Sequence, residues 1–240
     1  MAVSSSLPED PVNPRIGSVG DFELDHVLIW VSPEAPEAEL LIAFGLTEGA
    51  SNVHTGQGTA NRRFFFQNAM LELIWVHDET AARVSPGARL GIHERWRHRQ
   101  AGASPFGLCL RRSTGAATPP FDTWPYRPAY LPAGVAIDVA VTSLATWEPL
   151  IFLAPMRRPD AVLRFAGQPL VHTAGFREIS GVRMGVRGAQ PRSATLRAVE
   201  ATGVATFPKE AEPRLELSFD GERQGGSADF RPHLPLVFRW

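Results

Sequence analysis

The segment from residue 24 to residue 76 constrains the fold more than any other part of this chain of 240 residues. It contains two apolar stretches, LDHVLIWV at residues 24–31 and LELIWV at residues 71–76, that are typical of buried β-strands. The first carries His26 and the second carries Glu72. An ionisable side chain on the buried face of a strand needs a partner, because burying it alone costs several kcal/mol. A metal ion, a bound ligand or a mutual hydrogen bond could each supply that partner.

Between these two strands, the sequence predicts one helix and two further strands. Pro33 suits the first position of a helix, and Gly45 suits its end. A short strand then leads to His54, and residues 61–67 and 70–76 form a hairpin around Asn68 and Ala69. The predicted order of elements is strand, helix and three strands, written βαβββ.

The same order of elements returns near the C-terminus. Residues 178–186 align with residues 23–31, and a helix between Pro191 and Gly203 precedes two more strands. This repetition predicts an internal duplication. We therefore divide the chain into a flexible leader at 1–20, a first module at 21–80, a middle segment at 81–173 and a second module at 174–240.

The middle segment has a less regular pattern. It is predicted to contain an amphipathic helix at residues 90–100, whose arginines form either a solvated helix face or a basic patch. Three strands are expected, at residues 105–111, 134–142 and 148–153. The loop at residues 121–134 is rich in proline and aromatic residues, and it either covers a pocket or seals the edge of the core.

Charge and composition exclude several classes of function. The formal net charge is -1, so nothing indicates binding to nucleic acid or to an anionic membrane. No apolar run approaches the roughly 20 residues that span a bilayer. The N-terminus does not resemble a signal peptide, and we expect a cytoplasmic protein. Cys109 is the only cysteine, so we expect a packed structural thiol, with neither a disulfide nor a thiolate metal site.

With these elements, the chain resembles the vicinal oxygen chelate superfamily and, within it, the glyoxalase-like proteins. The residues that carry the resemblance are LDHVLIWV at 24–31, GTANRRFFF at 58–66 and LELIWV at 71–76. The resemblance implies an α+β fold in which paired βαβββ modules form curved mixed sheets around a cleft, with the middle segment as an insertion. Glyoxalases, extradiol dioxygenases, epimerases and antibiotic-binding proteins share this fold, so the resemblance does not fix the function.

The resemblance also implies metal ligands at His26 and Glu72. An imidazole nitrogen and a carboxylate oxygen suit iron, manganese, zinc or nickel, with positions left open for a chelating substrate. In the second copy, Gly181 and Pro235 stand at the equivalent places, and neither has a ligating side chain. His233 is the candidate third ligand. The alternative is a His26–Glu72 pair that joins two strands or lines a metal-free pocket.

A second group of candidate residues lies in the hairpin. A two-residue turn would place Arg63 opposite Ile74 and Phe65 opposite Glu72. Arg63 would then share a face with Glu72, where its guanidinium could bind a carboxylate or phosphate, unless it only pairs with surface acids. The candidate catalytic residues are His54 and Arg63, and the candidate ligand-binding residues are Trp30, Arg63, Phe65 and Ile74.

Two functions are compatible with these residues. The first is a metal-dependent lyase, isomerase or dioxygenase that acts on a small oxygen-bearing molecule through His26 and Glu72. The second is a metal-free protein that binds or sequesters a small molecule in the same cleft. The sequence does not decide between an enzyme and a binding protein. A homodimer is compatible with the resemblance, because members of the superfamily often pair modules between chains.

Overall fold

The computed structural model describes residues 20–84, 86–113, 118–155, 165–188 and 191–240. Its helices are α1 (Ala38–Phe44), α2 (Glu79–Val84), α3 (Ile92–Arg97) and α4 (Ala194–Ala201), with 3₁₀ turns at Pro86–Leu90 and Val141–Leu144. Its strands are β1 (Phe22–Trp30), β2 (Asn52–His54), β3 (Thr59–Phe65), β4 (Met70–Val76), β5 (Phe106–Arg112), β6 (Thr123–Tyr126), β7 (Ile137–Ala140), β8 (Leu150–Leu153), β9 (Ile179–Met184), β10 (Val186–Arg187), β11 (Lys209–Glu210), β12 (Leu215–Phe219), β13 (Ser227–Asp229) and β14 (Leu236–Arg239). The predicted α+β class is confirmed. The predicted leader lies outside the described residues, apart from Gly20.

An eight-stranded mixed sheet forms the centre of the molecule, in the order β2-β3-β4-β1-β5-β8-β7-β6. Within the first module, β1 pairs parallel with β4, and β3 pairs antiparallel with both β4 and β2. The helix α1 connects β1 to β2. The predicted βαβββ module is therefore present, and its first strand lies in the middle of the large sheet.

The other half of this sheet comes from the middle segment of the chain. β5 pairs antiparallel with β1 and parallel with β8, while β7 pairs antiparallel with β8 and β6. The strands β5 to β8 thus repeat the pairing of β1 to β4, and the two halves meet at β1 and β5. The segment at 121–134 contains β6 and is more regular than its composition suggested.

The C-terminal unit forms a separate four-stranded sheet, in the order β13-β14-β12-β9. Here the first strand, β9, pairs antiparallel with β12, and β12 pairs parallel with β14. This order differs from that of β1 to β4, in which the first strand pairs with the last. The order of elements along the chain is repeated, but the strand pairing is not, because pairing depends on contacts between distant residues that local periodicity does not encode.

The large sheet is buried on both faces. Val27, Ile29 and Leu73 belong to a core cluster on one face, together with Leu217 and Phe238 of the C-terminal sheet. A second cluster lies on the opposite face and contains Leu28, Trp30, Ile74, Leu90, Ile92 and Val139. This two-sided burial explains why the central strands read as almost continuous apolar runs.

The predicted helix at residues 90–100 is shorter than expected, and one of its arginines is in the interior. Arg95 is fully buried, and its guanidinium donates hydrogen bonds to the carbonyl oxygens of Glu148 (2.5 Å) and Ser143 (2.7 Å). Burial lowers the pKa of Arg95 to about 9. Arg97 is exposed. The arginines of this helix therefore do not form one solvated face. No helix among the described residues has the length and apolarity to cross a membrane.

Candidate functional site

A cavity of about 330 Å³ opens on the face of the large sheet that lies away from the C-terminal unit. This volume suits a small organic molecule. Most of the lining is apolar, with a polar group at the centre of the sheet. The lining residues are His26, Leu28, Trp30, Asn52, His54, Gln57, Asn61, Arg63, Met70, Glu72, Ile74, Leu90, Ile92, Cys109, Tyr126, Tyr130, Leu131, Ile137, Val139, Leu150, Phe152, Ala154 and Pro155.

His26 is held by the residue that precedes it. The pairing of β1 with β5 shifts between Leu24 and His26, so that Asp25 is an extra residue in a β-bulge. Asp25 is fully buried, and its Oδ1 lies 2.6 Å from Nδ1 of His26. A carboxylate in this position accepts a hydrogen bond from the N–H at Nδ1. The other ring nitrogen, Nε2, is then left to bind another partner. Nη1 of Arg111 lies 3.9 Å from Oδ2 of Asp25.

Glu72 faces His26 from the neighbouring strand. Its Oε2 lies 3.6 Å from His26 Nε2, and both residues are buried. Its Oε1 accepts a hydrogen bond from Nδ2 of Asn61, whose Oδ1 accepts from the backbone N–H of Asn52 at 2.8 Å. These contacts fix the orientation of both side chains. The predicted meeting of His26 with Glu72 is therefore present in the geometry.

These donors fit a first-row metal ion. A separation of 3.6 Å is too long for a direct hydrogen bond. It is compatible with two ligands of one ion, since nitrogen and oxygen ligands bind at about 2.0–2.2 Å. In addition, one ligand atom each from Asp25, His26 and Cys109 lie within 4.8 Å of one another. Within the described ranges, this is the one cluster of three such side chains.

The second half of the sheet supplies the positions equivalent to the first pair. In β4, Glu72 stands two residues beyond Met70, the strand partner of His26. In the second half of the sheet, Cys109 is the strand partner of His26. The partner of Cys109 in β8 is Phe152, and Ala154 stands two residues beyond it. The structural equivalents are therefore Cys109 and Ala154, in place of the predicted Gly181 and Pro235. Those two residues belong to the C-terminal unit and do not line the cavity.

His54 joins a hydrogen-bonded chain at another wall of the cavity. Its Nδ1 lies 2.9 Å from the hydroxyl oxygen of Thr59, which accepts from Nε2 of Gln57 at 2.8 Å. The Oε1 of Gln57 accepts from the hydroxyls of Tyr126 (2.9 Å) and Tyr130 (3.2 Å). The Pro- and aromatic-rich segment thus covers this pocket. Burial lowers the pKa of His54 and raises the pKa of Tyr126 to about 12.

Arg63 lines the cavity, but the hairpin register differs from the predicted one. Arg63 pairs with Glu72, and Phe65 pairs with Met70, because the turn is centred on Gln67 and Asn68, one residue earlier than predicted. A shift of two leaves each side chain on its predicted face. The Nε of Arg63 donates to the carbonyl oxygen of Ala50 at 2.7 Å, and its guanidinium carbon lies 5.1 Å from the centroid of Phe65.

The other predicted site residues divide into two groups. Trp30 and Ile74 line the cavity. Phe65 does not; it packs with Met70 and Phe165 in a small cluster beneath Arg63. His233 is exposed in the C-terminal unit, between β13 and β14, and is not among the lining residues. The structure therefore does not bring it to His26.

Several residues of this site were not expected from the sequence. Asp25 should point away from His26 in a regular strand, and only the bulge brings their side chains together. Asn61 and Gln57 resemble ordinary turn residues in the sequence. The sequence indicated only that Cys109 lies in an apolar strand. Its position opposite His26 depends on the pairing of β1 with β5.

The βαβββ module, whose sheet is continued by four strands with the same pairing, agrees with the fold that the resemblance to the vicinal oxygen chelate superfamily implies. Residues 24–119 match the family model described as a glyoxalase-like domain. This match covers the first module and the first part of the middle segment. Among curated protein sequences, none matches the chain significantly.

Three solved structures illustrate the comparison by fold. A hypothetical protein from Staphylococcus aureus has a TM-score of 0.48 at 8% identity, covering 91% of this chain and 98% of that one. A mutant of 4-hydroxymandelate synthase from Streptomyces coelicolor has a TM-score of 0.46 at 11% identity, covering 83% of this chain and 71% of that one. Methylmalonyl-CoA epimerase from Mycobacterium tuberculosis has a TM-score of 0.33 at 15% identity, covering 57% of this chain and 89% of that one.

Proposed function

We propose that the protein is a metal-dependent enzyme of the lyase or isomerase class, acting on a small oxygen-bearing molecule in the cavity. One observation carries this proposal. A buried imidazole nitrogen of His26 and a buried carboxylate oxygen of Glu72 meet 3.6 Å apart at the cavity wall, although they come from different strands. Iron, manganese, zinc and nickel all accept this pair of donors.

Within this proposal, His26 Nε2 and Glu72 Oε2 hold the ion. Asp25 keeps the imidazole in the required orientation, and Asn61 does the same for the carboxylate. The ion, when bound, supplies Lewis-acid polarisation of a substrate oxygen. Such polarisation makes a neighbouring carbon–hydrogen bond more acidic, which is the chemistry that lyases and isomerases need.

His54 is the residue that we propose for proton transfer. Its lowered pKa keeps the imidazole neutral at neutral pH, and its Nδ1 is hydrogen-bonded to Thr59. Nε2 is therefore the nitrogen left to exchange a proton with a bound molecule. Arg63 lies on the same wall and can attract the negative charge of a substrate.

The rest of the cavity indicates the character of the substrate. Leu28, Ile74, Val139 and Leu150 form an apolar wall on one side of the polar centre. A molecule that fits has an oxygen-bearing end at His26 and Glu72 and a small apolar body against this wall.

A metal-free binding protein is the second candidate, and one observation favours it. The position equivalent to Glu72 is Ala154, so the second half of the sheet offers no carboxylate there. In that case, His26 and Glu72 bind the polar groups of a sequestered molecule directly, and the apolar wall supplies most of the affinity.

Metal analysis of protein purified without added metal or chelator tests the first candidate. We expect about one ion per chain, and we expect the Glu72→Gln variant to lose it while remaining folded. Glu216→Gln is a matched control, because this carboxylate pairs with Arg239 (3.0 Å) in the C-terminal sheet, away from the cavity. A wild-type protein without bound metal, which also takes up none of the four candidate ions, contradicts the proposal. Stabilisation by a small molecule in the presence of chelator then supports the second candidate.

A further inference from the structure

We propose that His54 presents a hydrogen-bond donor to the cavity, and that the cavity therefore binds a molecule with an oxygen acceptor, above all a carboxylate, at this wall. The proposal deepens the proposed function, and it rests on that function only for the cavity as the binding site. What decides it is the direction of the hydrogen bonds in one chain of side chains, which consists of His54, Thr59, Gln57, Tyr126 and Tyr130.

The two phenols at one end of the chain set the orientation of the amide of Gln57. Each phenol carries one hydrogen, and its acceptor is Oε1 of Gln57, at 2.9 Å from Tyr126 and 3.2 Å from Tyr130. Burial raises the pKa of both phenols, so both keep this hydrogen at neutral pH. Since Oε1 faces the phenols, Nε2 of Gln57 faces Thr59 and donates to its hydroxyl oxygen at 2.8 Å.

The hydroxyl of Thr59 passes this direction on to His54. Thr59 is fully buried, and Nδ1 of His54 lies 2.9 Å from its hydroxyl oxygen. If Nδ1 carried a hydrogen, Gln57 and His54 would both donate to this oxygen. The hydroxyl hydrogen would then have no acceptor among the residues that the structure describes. A buried hydrogen-bond donor without an acceptor is unfavourable, so we assign the hydroxyl of Thr59 as the donor to Nδ1.

His54 therefore carries its hydrogen on Nε2. A neutral imidazole has one N–H and one acceptor nitrogen, and here the acceptor is Nδ1. Burial is the main cause of the lowered pKa of His54, and it keeps the ring uncharged at neutral pH. The ring of Tyr130 packs against the imidazole with the centroids 5.0 Å apart. In the proton exchange proposed for Nε2, this nitrogen enters as a donor, whose hydrogen bond stabilises negative charge on an oxygen of the bound molecule.

The charges around His54 favour a carboxylate among the possible oxygen acceptors. Arg63 lines the same cavity, and its positive charge adds to the effect of burial in lowering the pKa of His54. Glu72 acts on this pKa in the opposite direction, but its two oxygens face Asn61 and His26. A small carboxylate with an apolar body is therefore the class of ligand that suits this wall.

Nitrogen-15 NMR of the full-length protein, at neutral pH with chelator present, identifies the tautomer. The ring nitrogen that carries a hydrogen resonates well apart from the one that does not, and the signals missing in His54→Gln belong to His54. We expect the hydrogen on Nε2 in the wild type and in Thr59→Ser, which keeps the hydroxyl. Gln57→Glu has the same shape but only acceptor oxygens, so Thr59 turns its hydrogen towards it, and we expect a hydrogen on Nδ1 of His54. A hydrogen on Nδ1 in the wild type, or none there in Gln57→Glu, overturns the proposal.

Titration with benzoate, again with chelator present, tests the class of ligand. We expect saturable binding that shifts the Nε2–H signal of His54, and at least about tenfold weaker binding in His54→Phe, which keeps a ring but has no donor. His77→Phe is the matched control, because His77 is exposed and does not line the cavity. Benzoate binding that leaves the Nε2–H signal unchanged, or no saturable binding, overturns the assignment of the ligand. Because both measurements use metal-free protein, their outcome is independent of the metal analysis that tests the proposed function.

Discussion

The orientation of one imidazole depends on an irregularity in a single strand. Asp25 and His26 are adjacent in the sequence, and in regular β-structure their side chains point to opposite faces. The bulge between Leu24 and His26 allows the carboxylate to reach Nδ1 at 2.6 Å. The residue that orients the candidate ligand is therefore its own neighbour.

We predict that Asp25→Asn weakens metal binding by about 10–100-fold, because the neutral amide orients the imidazole less well and lowers its basicity as a ligand. Competition titration with a chromophoric chelator measures the affinity. Asp138→Asn is the control, since Asp138 pairs with Arg112 (3.0 Å) in β7 and β5 and does not line the cavity. Unchanged affinity in a folded Asp25→Asn protein would refute the orienting role.

At the scale of elements, His172 joins three segments. Its Nδ1 accepts from the backbone N–H of Thr47 at 3.0 Å, and its Nε2–H donates to the carbonyl oxygen of Phe65 at 3.0 Å. The imidazole is buried and neutral. Burial lowers its pKa from 6.5, and this outweighs the hydrogen bond to Phe65, which raises it.

We predict that this histidine makes the protein less stable in acid. The unfolded chain binds a proton at His172 below about pH 6.5, whereas the folded protein resists it until lower pH. The stabilisation is present above that pH and is lost as the pH falls towards the lowered pKa. Urea unfolding at pH 7.5 and at pH 5.5 gives the free energy of unfolding at each pH. We expect the loss of stability between the two pH values to be smaller in His172→Gln. The exposed His77→Gln is the control. An equal pH dependence in both variants would count against this prediction.

Arg95 holds the loop that leads from the Val141–Leu144 turn into β8. Its guanidinium is surrounded by backbone carbonyl oxygens of residues 143–148, within hydrogen-bonding distance. This loop positions β8, which carries part of the cavity wall.

We predict that Arg95→Leu lowers the free energy of unfolding by at least about 3 kcal/mol, because several buried carbonyl oxygens lose their donor. Urea denaturation measures this change. Arg97→Leu on the same helix should change it by less than about 0.5 kcal/mol, since Arg97 is exposed. A similar loss in both variants would show that the helix charge matters, and not the carbonyl contacts.

The hairpin of β3 and β4 shows what sequence reasoning missed at this scale. The turn was expected at Asn68 and Ala69, but the side chain of Asn68 instead pairs with both backbone groups of Ile179 (2.8 and 3.0 Å). The turn is centred one residue earlier, on Gln67 and Asn68, and both residues bond to the C-terminal unit. Local turn propensity cannot reveal a contact with a residue 111 positions away.

At the scale of the whole molecule, the C-terminal sheet and the large sheet share one core. Phe219 of β12 is fully buried. Its ring stacks on that of Phe176 with the centroids 4.2 Å apart, and its centroid lies 5.0 Å from that of Phe66 in the first module. The back of the large sheet is therefore covered by the C-terminal unit. The two sheets should unfold together.

We predict that Phe219→Ala lowers the free energy of unfolding by about 3–5 kcal/mol in a single transition. Circular dichroism and tryptophan fluorescence should report the same midpoint, because Trp30 lies at the cavity and Trp240 in the C-terminal unit. Val171→Ala, an exposed position, serves as the control. Two separate transitions would show that the units are independent.

The sequence by itself determined the elements of the first βαβββ module and the strand faces that carry His26 and Glu72, because period-two alternation fixes which side chains share a face of a strand. It could not determine which strands complete the sheet. The partner of the first module is β5 to β8, and the C-terminal unit that repeats its order of elements covers the opposite face. Only the tertiary structure decided that Cys109 stands opposite His26 and that Asp25 turns inward, since both depend on the register of β1 against β5, a contact between residues far apart in the chain.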